Sequence, residues 1–481
     1  MNRKFLTNLA LLILLNLLIK PFWIFGIEVS VQNTVGAENY GFYFTLFNFS
    51  LILNILLDLG ITNFNNRNIS QNNHLLSKHF SSLIVLKFLF AISYGIISIA
   101  VAFLIGWGWS EMKLLLILIF NQILSSFILY FRSNISGLQF FRIDSMISVL
   151  DRFLMILICG LLLWGNITKQ TFQIEWFVYA QTVAYGITFI IAFFIVYTKC
   201  DFLKLNYDRT FFFAILKKSL PFALLILLMT FYNRVDPIML ERLLPDGQLQ
   251  AGIYAQGYRI LDAANNFAFL FPTLLLPMFS KMLKNKESVN QLLKLSFLLL
   301  IVPAMTLSIG CLFYSYDIMN LFYQEHAEVS APIFMYIMIG FVSISSTHIF
   351  GTLLTANGNL KLLNLVSGSG MVVNIVLNII LIPIFGAKGA AITSLCTQTF
   401  TALVQILIAR KIFNLSINYK LLFSFLGFVL ILLLTGYVTT RYIDNWLIGI
   451  SIYISISILF AISVRLISIR NLINIIVSNK D

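Results

Sequence analysis

The sequence predicts an all-α integral membrane protein with about 14 transmembrane helices. Three observations carry this. The 481 residues are 59% hydrophobic and only 11% charged, with a mean hydropathy of +0.91. A soluble chain carries about 25% charge, so this one has too few charges to cover a water-facing surface. Apolar runs long enough to cross a hydrocarbon core of about 30 Å recur along the chain. Alternating strands of about ten residues are absent, which argues against a membrane barrel.

The spans are expected at 6–27, 39–61, 80–105, 113–132, 146–165, 173–197, 212–236, 252–280, 291–314, 329–355, 361–385, 388–409, 419–440 and 446–469. The first follows Arg3 and Lys4 and runs through Lys20–Pro21 to Ile27 without a small-x-small cleavage site, so it reads as a helix and not as a signal peptide. The second opens on Tyr40–Gly41–Phe42–Tyr43 and leaves through Leu57–Asp58–Leu59–Gly60. Spans three to six are apolar runs, the third span holding Lys87. Polar and basic connectors, 62–79 and 198–211, are the longest loops. The seventh ends at Arg234–Val235–Asp236–Pro237, and the eighth opens on Ala251–Gly252–Ile253–Tyr254. The eleventh and twelfth, within 351–396, are separated by Ile382–Pro383–Ile384–Phe385–Gly386–Ala387–Lys388–Gly389–Ala390–Ala391. No loop is large enough for a soluble enzyme domain.

Basic residues orient the spans. With the N-terminus inside, the outside segments hold only Lys113, Lys169, Arg242, Lys388 and Arg441. Lys20, Lys87, Arg234 and Arg259 fall within spans, and all other Lys and Arg, Arg152 included, are counted with the inner segments. This positive-inside bias places both termini in the cytoplasm and explains the net charge of +13 without nucleic acid. Cys159, Cys200, Cys311 and Cys396 are scattered without metal spacing and are expected to be small buried hydrophobes.

A faint repeat links the first two spans to the seventh and eighth. A basic residue deep in the first helix (Lys20, Arg234) precedes a Gly-x-Tyr that opens the next (Gly41–Phe42–Tyr43, Gly252–Ile253–Tyr254). Two parallel six-helix halves are a known transporter plan. The expected lobes are 1–200 and 201–412, with two further helices in 413–481.

Several stretches together resemble Wzx-type polysaccharide flippases of the multidrug/oligosaccharidyl-lipid/polysaccharide exporter superfamily. They are Val35–Gly36–Ala37–Glu38–Asn39–Tyr40–Gly41–Phe42–Tyr43, Leu57–Asp58–Leu59–Gly60, Pro221–Phe222–Ala223, Arg234–Val235–Asp236, Ala251–Gly252–Ile253–Tyr254–Ala255 and Gly386–Ala387–Lys388–Gly389–Ala390–Ala391. The resemblance implies a two-lobed bundle around a central cavity that moves lipid-linked sugars outward by alternating access. The implied substrate is an undecaprenyl-pyrophosphate-linked oligosaccharide. Polysaccharide polymerase and glycosyltransferases are the implied partners, and the cytoplasmic (inner) membrane is the implied location.

Charged residues inside spans are expensive and usually functional. Lys20, Lys87, Arg234 and Arg259 are the candidate substrate-binding residues. Helix rise puts Lys20 about 21 Å from the inner end of its span and Arg259 about 10 Å from the outer end of its own, at a similar level to Arg234. A pyrophosphate calls for such a cluster of charge-assisted donors. The bland reading is internal pairing, for instance Arg259 with Asp262 at i,i+3. Asp58, Asp236 and Asp262 are candidates for coupling or gating. Asn374 and Asn378, four apart, are expected to pack helices together. His348 lies in a span without an evident partner. No hydrolase, phosphate-loop or zinc-protease motif occurs, and no cofactor is expected. A coupling ion, H+ or Na+, is left open. The alternatives are a drug or cation exporter of the same superfamily, which would favour an acidic cavity, and a membrane oligosaccharide polymerase, which would need a sizeable outer loop.

Overall fold

A computed structural model describes residue 15 and residues 18–62, 65–66, 69, 76–165, 170–200, 209–415, 419–464 and 466. Among the described residues the chain is helical without strands. It divides into two compact units, Met1–Gly252 and Ile253–Asp481.

In the first unit, a π-helical stretch, Phe22–Glu28, runs into α1, Val29–Ile52. The expected outer loop 28–38 is therefore helix on both sides of a single break at Gly36 (φ 79, ψ 163). Only glycine adopts that backbone without strain, so one residue does the work of a loop. The chain doubles back there: Trp23 and Tyr43, on opposite sides of the break, both pack on Phe177 at ring distances of 5.8 and 5.2 Å. A 3-10 turn, Asn54–Leu57, follows, and then Leu59 and Gly60 with φ of 43 and 85. Next come α2 (Leu76–Ile105), α3 (Trp109–Gly137), α4 (Phe141–Trp164) and α5 (Ile174–Tyr197). Acidic residues in the first turns of α3, α4 and α5 (Glu111, Asp144, Glu175) favour these helix N-termini. The most buried of the candidate membrane spans is α3, which packs against α1 and α5. After α6 (Arg209–Arg234) the chain bends by 47° at Val235 into α7 (Asp236–Leu243). Pro237 explains the break. It has no N–H to continue α6 but fits the first turn of a new helix.

Gly252, the last residue of the first unit, belongs to α8 (Gly247–Ala268). The second unit continues with α9 (Leu270–Lys284), α10 (Asn290–Phe322), α11 (Ala327–Ala356), α12 (Leu360–Phe385), α13 (Ala387–Phe413), α14 (Tyr419–Tyr442) and α15 (Trp446–Ser463). Helices α10, α11 and α13 pack in series, and α12 packs on α13. The α12–α13 corner needs its glycines. Gly386 has φ 59, and a Cβ on Gly389 would lie 2.3 Å from the Leu381 carbonyl oxygen. Asn445 caps α15 by accepting from the Leu447 and Ile448 amides. Both α14 and α15 dock on α10 through Leu298, Tyr314, Phe428, Leu432 and Tyr453. Tyr314 donates to Thr439 Oγ1 (2.7 Å) and Tyr453 to the Thr306 carbonyl (2.9 Å).

Among the described residues, eleven helices are long and apolar enough to cross a membrane, or twelve with the bent α6–α7 pair. These correspond to expected spans 3–14. Most of the first span lies outside the described residues, and the second is interrupted by Gly36 and the 3-10 turn. The expected eighth span is longer than predicted and is built from α8 and α9. The expected lobe boundary near 200 differs from the observed division in where it puts α6 and α7. Here α6 and α7 both pack on α1. The cysteines are not uniformly buried: Cys159 and Cys311 are, whereas Cys396 is exposed.

Candidate functional site: charged clusters inside the helices

Lys87 on α2 and Asp58 meet. Lys87 is 1% exposed, and its Nζ donates to Asp58 Oδ1 (3.0 Å), the Leu57 carbonyl (3.0 Å) and Ser126 Oγ on α3 (2.6 Å). An ammonium has three protons, so all three are taken. Asp58 also accepts from the amide and hydroxyl of Thr62. The pair thereby ties the irregular backbone at 57–60 to two helices. Separately, Asn54 donates to Gln122 Oε1 (2.6 Å), and Gln122 donates to Ser50 Oγ (3.3 Å). In this conformation Lys87 holds the fold of the first unit and has no donor left for a phosphate.

Arg234 closes α6 and donates from Nη1 to Asn48 Oδ1 on α1 (3.3 Å), while Asn48 donates to the Phe44 carbonyl (2.7 Å). Asp236 opens α7 and is fully buried.

Lys20 has a different neighbourhood from the one its expected depth implied. The helix carrying it runs on to Val35, so Lys20 lies about 24 Å of helix before the Gly36 turn instead of about 10 Å from an outer end. Its charged neighbours are Arg152, Asp151 and Arg132. Arg132 is bonded to Asp144 (2.8 Å). Arg152, assigned from sequence to the inner segment, instead sits about 16 Å into α4. Its guanidinium lies over the rings of Trp23 (5.4 Å) and Tyr185 (5.9 Å). Glu28, expected in the outer loop, is 6% exposed and within electrostatic reach of Arg152. Neither residue is singled out by its sequence context. The one signal is the aromatic at i+3 from Lys20, Trp23.

Two further contacts lie in the first unit. A Cβ on Gly41 would lie 1.9 Å from the Gln248 carbonyl oxygen, and one on Gly252 would lie 1.8 Å from that of Ala37. The two Gly-x-Tyr motifs of the repeat therefore touch backbone to backbone, and Gln32 donates across them to the Gly252 carbonyl (2.9 Å). Trp107, between α2 and α3, donates to Glu241 on α7 (3.2 Å), which also pairs with Arg242 (2.9 Å).

In the second unit, Arg259 is 6% exposed and pairs with Asp262 at 3.6 Å, long for a charge-assisted bond. His348 finds a partner the sequence did not reveal, Asn265 Oδ1 at 2.8 Å, one turn beyond Asp262 on α8. Asn374 and Asn378 are fully buried, with Asn378 donating to Asn374 (3.2 Å). Of the four basic candidates, Lys20, Lys87 and Arg234 belong to the first unit and Arg259 to the second.

The family described as polysaccharide biosynthesis protein matches residues 5–283. Among solved structures, a lipid II flippase MurJ in an inward closed conformation aligns with a TM-score of 0.75 at 17% identity, over 94% of this chain and 98% of that one. An inward-facing multidrug resistance MATE family transporter of the MOP superfamily aligns at 0.61 and 14% identity, over 81% and 94%. A MOP superfamily transporter from Pyrococcus furiosus, described as having a binding pocket of reverse polarity, aligns at 0.59 and 14%, over 85% and 95%. Curated proteins give no match to the sequence. The exporter fold expected from the sequence is the fold observed.

Proposed function

Because this chain belongs to the polysaccharide biosynthesis protein family, we propose that it is a transporter and not an enzyme. It flips an undecaprenyl-pyrophosphate-linked oligosaccharide from the inner to the outer leaflet of the cytoplasmic membrane, feeding surface polysaccharide of the O-antigen or capsule type. The observation that carries this reading is basic side chains set inside apolar spans, Lys20 and Arg234 in the first unit and Arg259 in the second. Such residues line substrate paths in membrane proteins, and a pyrophosphate needs their charge in a low dielectric. Transport proceeds by alternating access. Asp58, Asp236 and Asp262 are the candidates for coupling to H+ or Na+ or for gating. Glycosyltransferases supply the substrate and a polymerase consumes it.

Deleting the gene is expected to strand lipid-linked oligosaccharide on the inner leaflet and to deplete surface glycan. Normal surface glycan, in a strain with no paralogue, would rule the reading out.

Both termini are cytoplasmic in this reading, and so is the exposed turn after α9, whose last turn carries Lys281 and Lys284. In a variant freed of the four native cysteines, Lys284→Cys should resist an impermeant thiol reagent applied to intact cells and react after permeabilisation. Efficient labelling in intact cells would invert the topology.

A further inference from the structure

We propose that the outer ends of α3 and α5 bind one outer-leaflet phospholipid whose headgroup carries a phosphate and a primary ammonium, of the phosphatidylethanolamine type. The proposal uses the topology given above and is independent of what the protein transports.

The site begins with a groove on the surface of the first unit, where α3 and α5 pack together. Leu116, Ile117 and Phe120 of α3 and Tyr179, Thr182 and Val183 of α5 line a space of about 490 Å3. A space of that order suits one small ligand or hydrocarbon chain. Leu116, Phe120, Tyr179 and Val183 are exposed, so the groove opens away from the bundle, where a membrane-spanning pair meets lipid. The Thr182 hydroxyl is turned back onto the Val178 carbonyl (3.0 Å) and adds no unmet polar demand.

Depth and shape select an acyl chain as occupant. Both helices begin on the outer side, α3 at Trp109 and α5 at Ile174. Helix rise puts the lining about 10–16 Å into α3 and about 8–13 Å into α5. That is the outer half of a hydrocarbon core about 30 Å thick. On each helix the lining extends about 6 Å, little more than one turn. A partner helix would dock over several turns and on small residues that let backbones approach. The lining here has no Gly, Ala or Ser.

The mouth of the groove selects the headgroup. Lys113 stands three and four residues before Leu116 and Ile117, and Glu175 stands four before Tyr179. Each therefore shares the groove's face of its helix, one turn further out. Side chains on a helix lean toward its N-terminus, here outward, so both point to the headgroup layer. Lys113 is exposed and Glu175 half-buried. The Lys113 ammonium lies 6.0 Å over the ring of the exposed Trp109, a residue type that settles at the membrane–water boundary. Among the described residues neither Lys113 nor Glu175 belongs to an ion pair. A cation and an anion at the mouth of one apolar groove complement a headgroup with both charges. Lys113 donates to the phosphate, and Glu175 accepts from the ammonium. An anionic headgroup such as phosphatidylglycerol meets Lys113 alone and is opposed by Glu175. A choline headgroup has no N–H for the carboxylate.

The test is lipid binding by purified full-length protein, read by native mass spectrometry. The probes are phosphatidylethanolamine, phosphatidylglycerol and phosphatidylcholine with identical acyl chains. The tightest-bound lipid should be phosphatidylethanolamine, by roughly fivefold or more over the other two. Glu175→Gln should erase that preference, and Glu175→Lys should turn it toward phosphatidylglycerol. Lys113→Gln should weaken all three, since all carry the phosphate. Val183→Trp, which fills the groove from an exposed position, should weaken all three about tenfold at an unchanged melting temperature. The charge variants stand outside the groove and keep the test decisive should Val183→Trp misfold. Equal binding of the three lipids by the wild type would overturn the proposal. So would a preference that survives in folded Glu175→Gln. Displacement of phosphatidylethanolamine by polyprenyl monophosphate would overturn it by giving the groove to the transported lipid. A dimer that Val183→Trp breaks would overturn it by giving the groove to a second copy of the chain. None of these measurements reads transport, so the flippase reading stands or falls separately.

Discussion

Gly252→Ala and Gly41→Ala should each lower the melting temperature of the purified protein by several degrees and cut transport, whereas Gly95→Ala and Gly186→Ala should not. The contrast is geometric. The added Cβ at Gly252 would stand 1.8 Å from the Ala37 carbonyl oxygen and 2.6 Å from its carbon. At Gly41 it would meet the Gln248 oxygen at 1.9 Å and the Gly252 amide nitrogen at 2.6 Å. These obstacles are backbone, which no rotamer change can clear, so α1 and the first turn of α8 must move apart by more than 1 Å. Overpacking of this kind costs about 1–3 kcal/mol, and the Gln32 bond to the Gly252 carbonyl is stretched with it. Close backbone approach at small residues is what holds helices together where lipid removes the hydrophobic drive between them. At Gly95 and Gly186 a Cβ would meet nothing within 4 Å. There alanine gains up to about 1 kcal/mol of helix propensity. A Gly252→Ala protein that melts with the wild type would mean the two helices do not meet in this way.

This contact also marks the limit of what the sequence made legible. The Gly-x-Tyr repeat at 41–43 and 252–254 could be read directly, because it is a pattern along the chain. That its glycines press against one another could not, because helical periodicity says which face a residue is on and not which helix lies opposite. The same limit separates the other residues. Spans 3–14 were visible because length and hydropathy are local properties. The α6–α7 bend was foreshadowed by Pro237, a local effect. The sequence places Gly36 in a loop, since the helix on either side of it contains polar residues such as Gln32, Asn33 and Asn39. Gln32 is buried against Gly252, and Asn39, though exposed, bonds the Val35 carbonyl of its own helix. Arg152 was misplaced because a basic residue near a span end counts as a loop charge until the helix limits are known, and α4 begins five residues earlier than the apolar run. Its partners Trp23 and Tyr185 come from other helices. Candidate residues could therefore be listed from sequence, but their partners, and so their roles, required the fold.

The Lys87–Asp58 pair gives the other large effect, and an asymmetric one. Asp58→Asn should destabilise the protein more than Lys87→Met, and the double variant should recover most of the loss. Lys87 is 1% exposed, whereas Asp58 retains 27%. Replacing the carboxylate by an amide removes the countercharge and leaves the buried ammonium with neutral acceptors alone, the amide oxygen, the Leu57 carbonyl and the Ser126 hydroxyl. Stranding a buried charge costs about 3–5 kcal/mol. Removing the ammonium instead leaves a carboxylate that is still bonded to Thr62 and can reach water. The remaining cost is that of unmade bonds at the Leu57 carbonyl and Ser126, roughly 1–3 kcal/mol. Each single change also loosens Leu59, whose φ of 43 costs about 1–3 kcal/mol to maintain and which is held on its N-terminal side by this pair. With both charges gone, an apolar Met and a neutral Asn fill the site without an unpaired ion, and stability should return to within about 1–2 kcal/mol of wild type. Thermal melting of the four proteins checks the order. Equal losses in the two single variants would show that the pair is solvated and not buried. Transport in the double variant then separates structure from function. A stable double variant that transports normally makes Lys87 and Asp58 a brace for the broken end of the second span. A stable double variant that does not transport returns Lys87 to the substrate path, through a conformation in which the Asp58 bond opens and its ammonium becomes available to a phosphate.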